Sequence, residues 1–198
     1  ELWKSDGTAS GTVMVKDITS GSVGSYPIEL TAVGNTLYFR AWGNSGYELW
    51  KSDGTANGTV MVKDIDTYSL TAVGNTLFFV TVDGTNGEEL WKSDGTASGT
   101  VLAKDINSGS DSSAPDELKA VGNTLYFQAN DGINGIELWK SDGTAAGTVM
   151  VKDIKSGSGY SNPSELTVFD NTLYFSAIGA YGYELYFDGL VTTEITYS

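Results

Sequence analysis

The residues able to do chemistry fall into repeated and non-repeated sets. Asp-Gly-Thr recurs at Asp6, Asp53, Asp94 and Asp142. A carboxylate, a hydroxyl and carbonyls on one turn are hard-cation ligands, but an Asp equally caps the N–H groups of its own turn. The Asp-x-Asp-x-Asp ladder of a calcium loop is absent, so turn formation is the expected role. Two loops are richer in oxygen: Asp83-Gly84-Thr85-Asn86-Gly87-Glu88 and Asn130-Asp131-Gly132-Ile133-Asn134-Gly135. Asp83, Asn86, Glu88, Asp131 and Asn134 are therefore the candidate calcium ligands. The matching loops Trp42-Gly43-Asn44-Ser45-Gly46 and Ile178-Gly179-Ala180-Tyr181-Gly182 carry no acid, which favours Gly-rich turns over a repeated metal site.

A Glu opens each Glu-Leu-Trp, and an Asp follows at Asp17, Asp64, Asp105 and Asp153. Glycoside cleavage needs one specific carboxyl pair, one member with a raised pKa. Carboxylates present in every copy are better read as structural, bonded to backbone or to a Lys of the same strand. Trp3, Trp50, Trp91 and Trp139 resemble sugar platforms, but at a fixed place in each repeat they are expected to pack between units, with the indole N–H bonded to a neighbour. Trp42 differs, because other copies have Val82 or Asn130 there. With Arg40, Tyr47 and Tyr181 it forms the candidate ligand-contact surface.

These residues sit in a tandem repeat. Glu-Leu-Trp begins at Glu1, Glu48, Glu89 and Glu137, and Glu-Leu-Tyr at Glu184, in steps of 47, 41, 48 and 47 residues. Each unit holds four short extended segments, exemplified by 29–33, 36–41, 47–52 and 59–65. Gly34-Asn35, Gly74-Asn75 and Gly122-Asn123, with Asp170-Asn171 in the last copy, read as two-residue hairpin turns of positive φ. No stretch has helical periodicity.

Leu49 and Trp50 point to opposite faces, as do Tyr38 and its neighbours Leu37 and Phe39. Both faces are therefore apolar and need cover. A β-propeller of radially packed four-stranded antiparallel blades supplies it. The long, variable link follows the valine strand, which makes Leu-Thr-Ala-Val the inner strand. The resulting units are a half-blade at 1–18, blades at 28–65, 69–106 and 117–154, and a C-terminal blade at 165–197 with its last strand over 191–197. That is about four full blades plus an N-terminal half-blade, expected as a fragment or open arc. The final unit, lacking Lys-Ser after Glu-Leu-Tyr, is expected to cap the array.

Composition narrows the functions. There are 25 acidic and 11 basic residues in the 198, a formal charge of −14, which disfavours nucleic acid and anionic membranes. With no Cys and no His, thiol and imidazole chemistry are excluded. No apolar run is long enough for a membrane helix. A chain beginning at Glu1 reads as a processed form or fragment.

The string Glu-Leu-Trp-x-x-Asp-Gly-Thr-x-x-Gly-Thr followed by Val-Lys-Asp-Ile resembles the ELWxxDGT repeat of large bacterial, often cyanobacterial, surface or secreted proteins. The resemblance covers essentially the whole chain. It implies a propeller-like repeat in an exported, extracellular protein and brings no activity. The expected function is a non-enzymatic module for adhesion, glycan or protein binding, or scaffolding, with calcium as its candidate cofactor. Two alternatives stand beside it: a propeller hydrolase or lyase acting on polysaccharide, and a self-associating protein whose half-blade is completed by another chain.

Overall fold

The computed structural model describes residues 1–43, 45–180 and 182–187. Every regular element among them is a strand. The first sheet pairs β1 (Leu2–Lys4) with β2 (Val13–Lys16). Three antiparallel four-stranded meanders follow. The second sheet is β3 (Ile28–Val33), β4 (Thr36–Trp42), β5 (Tyr47–Ser52) and β6 (Val60–Lys63). The third is β7 (Thr67–Val73), β8 (Thr76–Val82), β9 (Glu88–Ser93) and β10 (Val101–Lys104). The fourth is β11 (Asp116–Val121), β12 (Thr124–Asn130), β13 (Ile136–Ser141) and β14 (Val149–Lys152). The fifth has β15 (Ser164–Phe169), β16 (Thr172–Gly179) and β17 (Gly182–Phe187). The strand expected over 191–197 and the candidate Tyr181 lie outside the described residues.

Hairpin chemistry sets the register. Val33 pairs with Thr36 across Gly34-Asn35, a two-residue loop. Gly34 has φ 57°, whereas Asn35 is not at positive φ, the pattern of a type II′ turn. Gly74 and Gly122 repeat it. In the last sheet Asp170 and Asn171 both have positive φ, at 49° and 56°. Asp cannot take the first position of a type II′ turn, so the chain changes to the type I′ pattern, where both residues occupy the left-handed region. The expectation of positive φ at both positions thus holds for this copy alone.

The sheets stack face to face. At the second-to-third junction Val33, Tyr38, Leu49 and Val62 pack on Leu77, Phe79 and Trp91. At the next, Val73, Phe78, Leu90 and Ala103 pack on Leu125, Phe127, Ala129 and Trp139. Leu and Trp of one Glu-Leu-Trp therefore serve successive junctions, as the alternation of β-strand side chains requires. A bulge helps. Leu49 pairs with Lys63 and Trp50 with Met61, leaving Val62 as the extra residue turned into the junction.

The first strands lie side by side, Thr31 Oγ1 donating to Leu70 O at 3.2 Å and Leu70 N to Glu29 Oε2 at 3.1 Å. That places Leu-Thr-Ala-Val at the inner edge. The described sheets form an open series and do not close into a ring. The cap expectation meets a difference: Leu185 is 64% exposed, and Tyr183, Phe169 and Phe187 are exposed with it, so this outer face is apolar where a cap is polar.

Candidate functional site

The repeated acids are absorbed by the repeat. In Ser52-Asp53-Gly54-Thr55, Asp53 Oδ1 accepts from Thr55 N at 2.9 Å and Thr55 Oγ1 at 2.7 Å. Thr55 Oγ1 in turn accepts from Gly58 N at 3.0 Å. Thr59 Oγ1 donates to Thr55 O at 2.7 Å. A Cβ on Gly58 would overlap the Asp53 carboxylate, which explains Gly in Gly-Thr. The turn recurs at Asp6, Asp94 and Asp142. In all four the Thr hydroxyl, then its N–H, holds the Asp carboxyl below its ordinary pKa. A pKa lowered in the folded state contributes stability above the unfolded value, lost as pH falls through the folded one. These turns are thus expected to contribute to a fall in the urea midpoint below about pH 4. A midpoint unchanged down to full protonation would contradict the role of these turns.

The two oxygen-rich loops close on themselves. Asp83 Oδ1 accepts from Thr85 N at 2.8 Å and Asn86 N at 2.7 Å, and Oδ2 from Asn86 Nδ2 at 2.6 Å. Asp131 does the same with Ile133 N at 2.9 Å, Asn134 N at 2.7 Å and Asn134 Nδ2 at 2.7 Å. The Asn86 N–H leads in lowering the Asp83 carboxyl. For Asp131 burial pushes up, and the N–H groups of Asn134 and Ile133 outweigh it. The structure brings Asp83 to Asn86 and Asp131 to Asn134, but Glu88 faces elsewhere, toward the Tyr68 hydroxyl. Among the described residues no three Asp or Glu side chains converge as a metal-binding group.

The Glu of Glu-Leu-Trp clasps the link to the next sheet. Buried Glu137 accepts from Ile154 N at 2.9 Å, Lys155 N at 3.2 Å and Ser161 Oγ at 2.6 Å. Glu89 uses Ile106 N, Asn107 N and Ser113, and Glu1 uses Ile18 N and Ser25. Burial raises the Glu89 carboxyl despite these donors. The Lys residues serve a different partner from the one expected. Lys16, Lys63 and Lys104 donate across the junction to carbonyls of Thr59, Thr100 and Thr148 at 2.8, 2.9 and 2.8 Å. Asp105 and Asp153 accept from Gly109 N and Gly157 N, both at 3.2 Å. Glu1, Glu89, Glu137, Asp105 and Asp153 thus serve backbone donors of the link that follows their sheet.

One junction breaks this rule. After β6 the link shrinks to a few residues, and Glu48 has no Ser to reach. Its Oε2 accepts instead from Trp50 Nε1 at 3.0 Å. A Cβ on Gly43 would overlap that folded-back carboxylate, whereas the matching residues Asp83 and Asp131 stand where the Glu reaches away. Glu184 repeats the arrangement with Tyr186 OH at 2.9 Å, opposite Gly179. Trp91 and Trp139, whose Glu is occupied by the link, pack between sheets with their Nε1 unpaired, contrary to the expected bond to a neighbour.

At this junction Trp42 and Arg40, which recur at no matching position, gather with Tyr47. Trp42 and Tyr47, opposite each other in β4 and β5, meet edge to face with ring centroids 5.4 Å apart. The Arg40 guanidinium lies 4.8 Å from the Tyr47 ring centroid and pairs with Glu29 at 2.8 Å and Asp66 at 2.6 Å. Burial, then the hydrogen bond with Glu88, raises the Tyr68 hydroxyl. Trp42 is 43% exposed. Three of the four predicted contact residues are therefore together, and Glu29, Asp66, Tyr68 and Glu88 join them. The signal for these was the shortened 41-residue step, which marks where repetition fails.

No protein-family model matches the chain. No curated protein matches it either. Among solved structures it is similar to a mutant of puromycin hydrolase, with TM-score 0.58 and 14% identity, over 90% of this chain and 28% of that one. A computationally designed protein, Ika4, gives TM-score 0.48 and 17% identity, over 89% and 99%. At such identity the first likeness concerns fold alone, which is β-propeller-like.

Proposed function

We propose that the chain is a blade array of a β-propeller in an exported bacterial surface protein, non-enzymatic, and that it binds a neutral glycan at the Trp42 cluster. One observation carries this reading: the single junction with a shortened link gathers Trp42 and Arg40, which recur at no matching position, beside Tyr47. Their chemistry suits a sugar. An exposed indole offers a face to pyranose C–H groups. Asp66 and Glu88 offer acceptors to hydroxyls, while Arg40, already paired with two carboxylates, brings no surplus positive charge for an anionic ligand. The resemblance of the repeat to exported surface proteins supports the location.

Affinity electrophoresis through gels containing neutral polysaccharides tests the reading, run with calcium and with chelator to include the Asp83 and Asp131 turns. Retardation is expected, with Trp42→Ala weakening binding roughly tenfold or more. Equal mobility of wild type and Trp42→Ala in every gel would end the proposal.

A further inference from the structure

We infer that the glycan site continues from Trp42 along the inner strands into a second subsite around Ser69, Leu118 and Lys119, so that the ligand is a linear oligosaccharide and not a single terminal sugar. The inference rests on the glycan reading above and adds the ligand's length and course.

The inner strands carry one pattern with two departures. Glu29-Leu30-Thr31, Ser69-Leu70-Thr71, Glu117-Leu118-Lys119 and Glu165-Leu166-Thr167 stand at matching register shifts. The first residue of each lies in the left-handed region, with φ of 52°, 59°, 58° and 56°. Such a bulge re-aims its side chain, and here it reaches the next inner strand. Glu29 Oε2 accepts from Leu70 N at 3.1 Å, and Glu117 Oε2 from Leu166 N at 3.5 Å. Ser69 is too short for that reach, and among the described residues no side chain accepts from Leu118 N. The second departure is Lys119. The hydroxyls of Thr31, Thr71 and Thr167 donate to the carbonyl two residues back, at 3.1, 3.1 and 3.0 Å. The Lys119 ammonium, in their place, makes no hydrogen bond or ion pair among the described residues.

Both departures face one groove of about 520 Å³, whose lining includes Glu29, Tyr68, Ser69, Thr71, Leu118 and Lys119. Its volume falls in the range of small-molecule sites. Its walls all belong to the second, third and fourth sheets, each of four strands. Two lining residues are shared with the Trp42 cluster: Glu29 pairs with Arg40 at 2.8 Å, and Tyr68 meets Glu88. The groove is therefore the inward continuation of that site. Its chemistry suits an uncharged sugar. Leu30 and Leu118 offer apolar surface to ring C–H groups, and Asp116 and Glu117 accept from hydroxyls. Leu118 N and Lys119 Nζ are donors left for the sugar's oxygens. With three carboxylates lining the groove against one Lys, an anionic sugar is disfavoured.

The test runs the whole chain through gels containing hydroxyethylcellulose, galactomannan or starch. It is then titrated calorimetrically with fragments of the most retarding polysaccharide, from monosaccharide to hexasaccharide. Affinity is expected to rise at least about tenfold with length and then level off. Ser69→Glu restores the repeated residue, gives Leu118 N a carboxylate and fills the groove, so the gain with length should disappear. Its melting temperature should match or exceed that of the wild type, which separates a filled groove from a damaged fold. Lys119→Thr, a second restoration of the repeat, should shrink the gain. Trp42→Ala should weaken fragments of every length. Wild-type affinity independent of length, or a gain that survives both restorations, would overturn the inference and leave the glycan reading standing. No retardation in any gel would end the glycan reading, and this inference with it.

Discussion

Glu137→Ala is expected to lower the unfolding free energy by about 3–5 kcal/mol. The side chain is fully buried, and its removal leaves Ile154 N and Lys155 N without their acceptor and the Ser161 hydroxyl with only its longer bond to Ile136 O at 3.2 Å. Each hydrogen bond to a charged acceptor contributes about 1.5–3 kcal/mol, and a stranded donor costs a similar amount. Glu48→Ala, at the same motif position, strands the Trp50 indole N–H and should cost nearer 1 kcal/mol. Urea unfolding followed by tryptophan fluorescence measures both. Equal losses would mean that the link is held by packing, with no part for the carboxylate clasp.

The second large effect separates two tryptophans of identical sequence context. Trp139 is 6% exposed and packed between sheets, so Trp139→Ala should cost about 3–5 kcal/mol through lost burial and the cavity left behind. Trp3 begins the same Trp-Lys-Ser-Asp-Gly-Thr string but is 58% exposed, with no sheet packed against its outer face among the described residues. Trp3→Ala should stay within about 1 kcal/mol. The comparison isolates neighbour packing from motif identity, and comparable costs for both would show that the motif stabilises its own sheet alone.

Much of this architecture was legible from local chemistry. Period-two alternation at Leu49 and Trp50, and the Gly34-Asn35 turn, gave strands, reversals and the two-faced packing. The clasp was not legible because its partners lie far along the chain. Yet it left a trace: Glu1–Ser25, Glu89–Ser113 and Glu137–Ser161 share one spacing of 24 residues, and the position 24 after Glu48 is Ala72. Reading each motif in isolation hid that constancy. The Trp42 group was found because it departs from repetition. Its acidic half, Glu29 and Asp66, was missed because it comes from the inner strand and the shortened link.

That shortened link also matters as salt rises. After the third and fourth sheets a buried carboxylate, Glu89 or Glu137, ties the sheet to the chain that leaves it. Between the second and third sheets the tie is Arg40 with Glu29 and Asp66, and Asp66 is largely exposed. Exposed ion pairs weaken as salt rises, whereas the clasps do not. In concentrated salt this seam should therefore loosen relative to those held by Glu89 and Glu137.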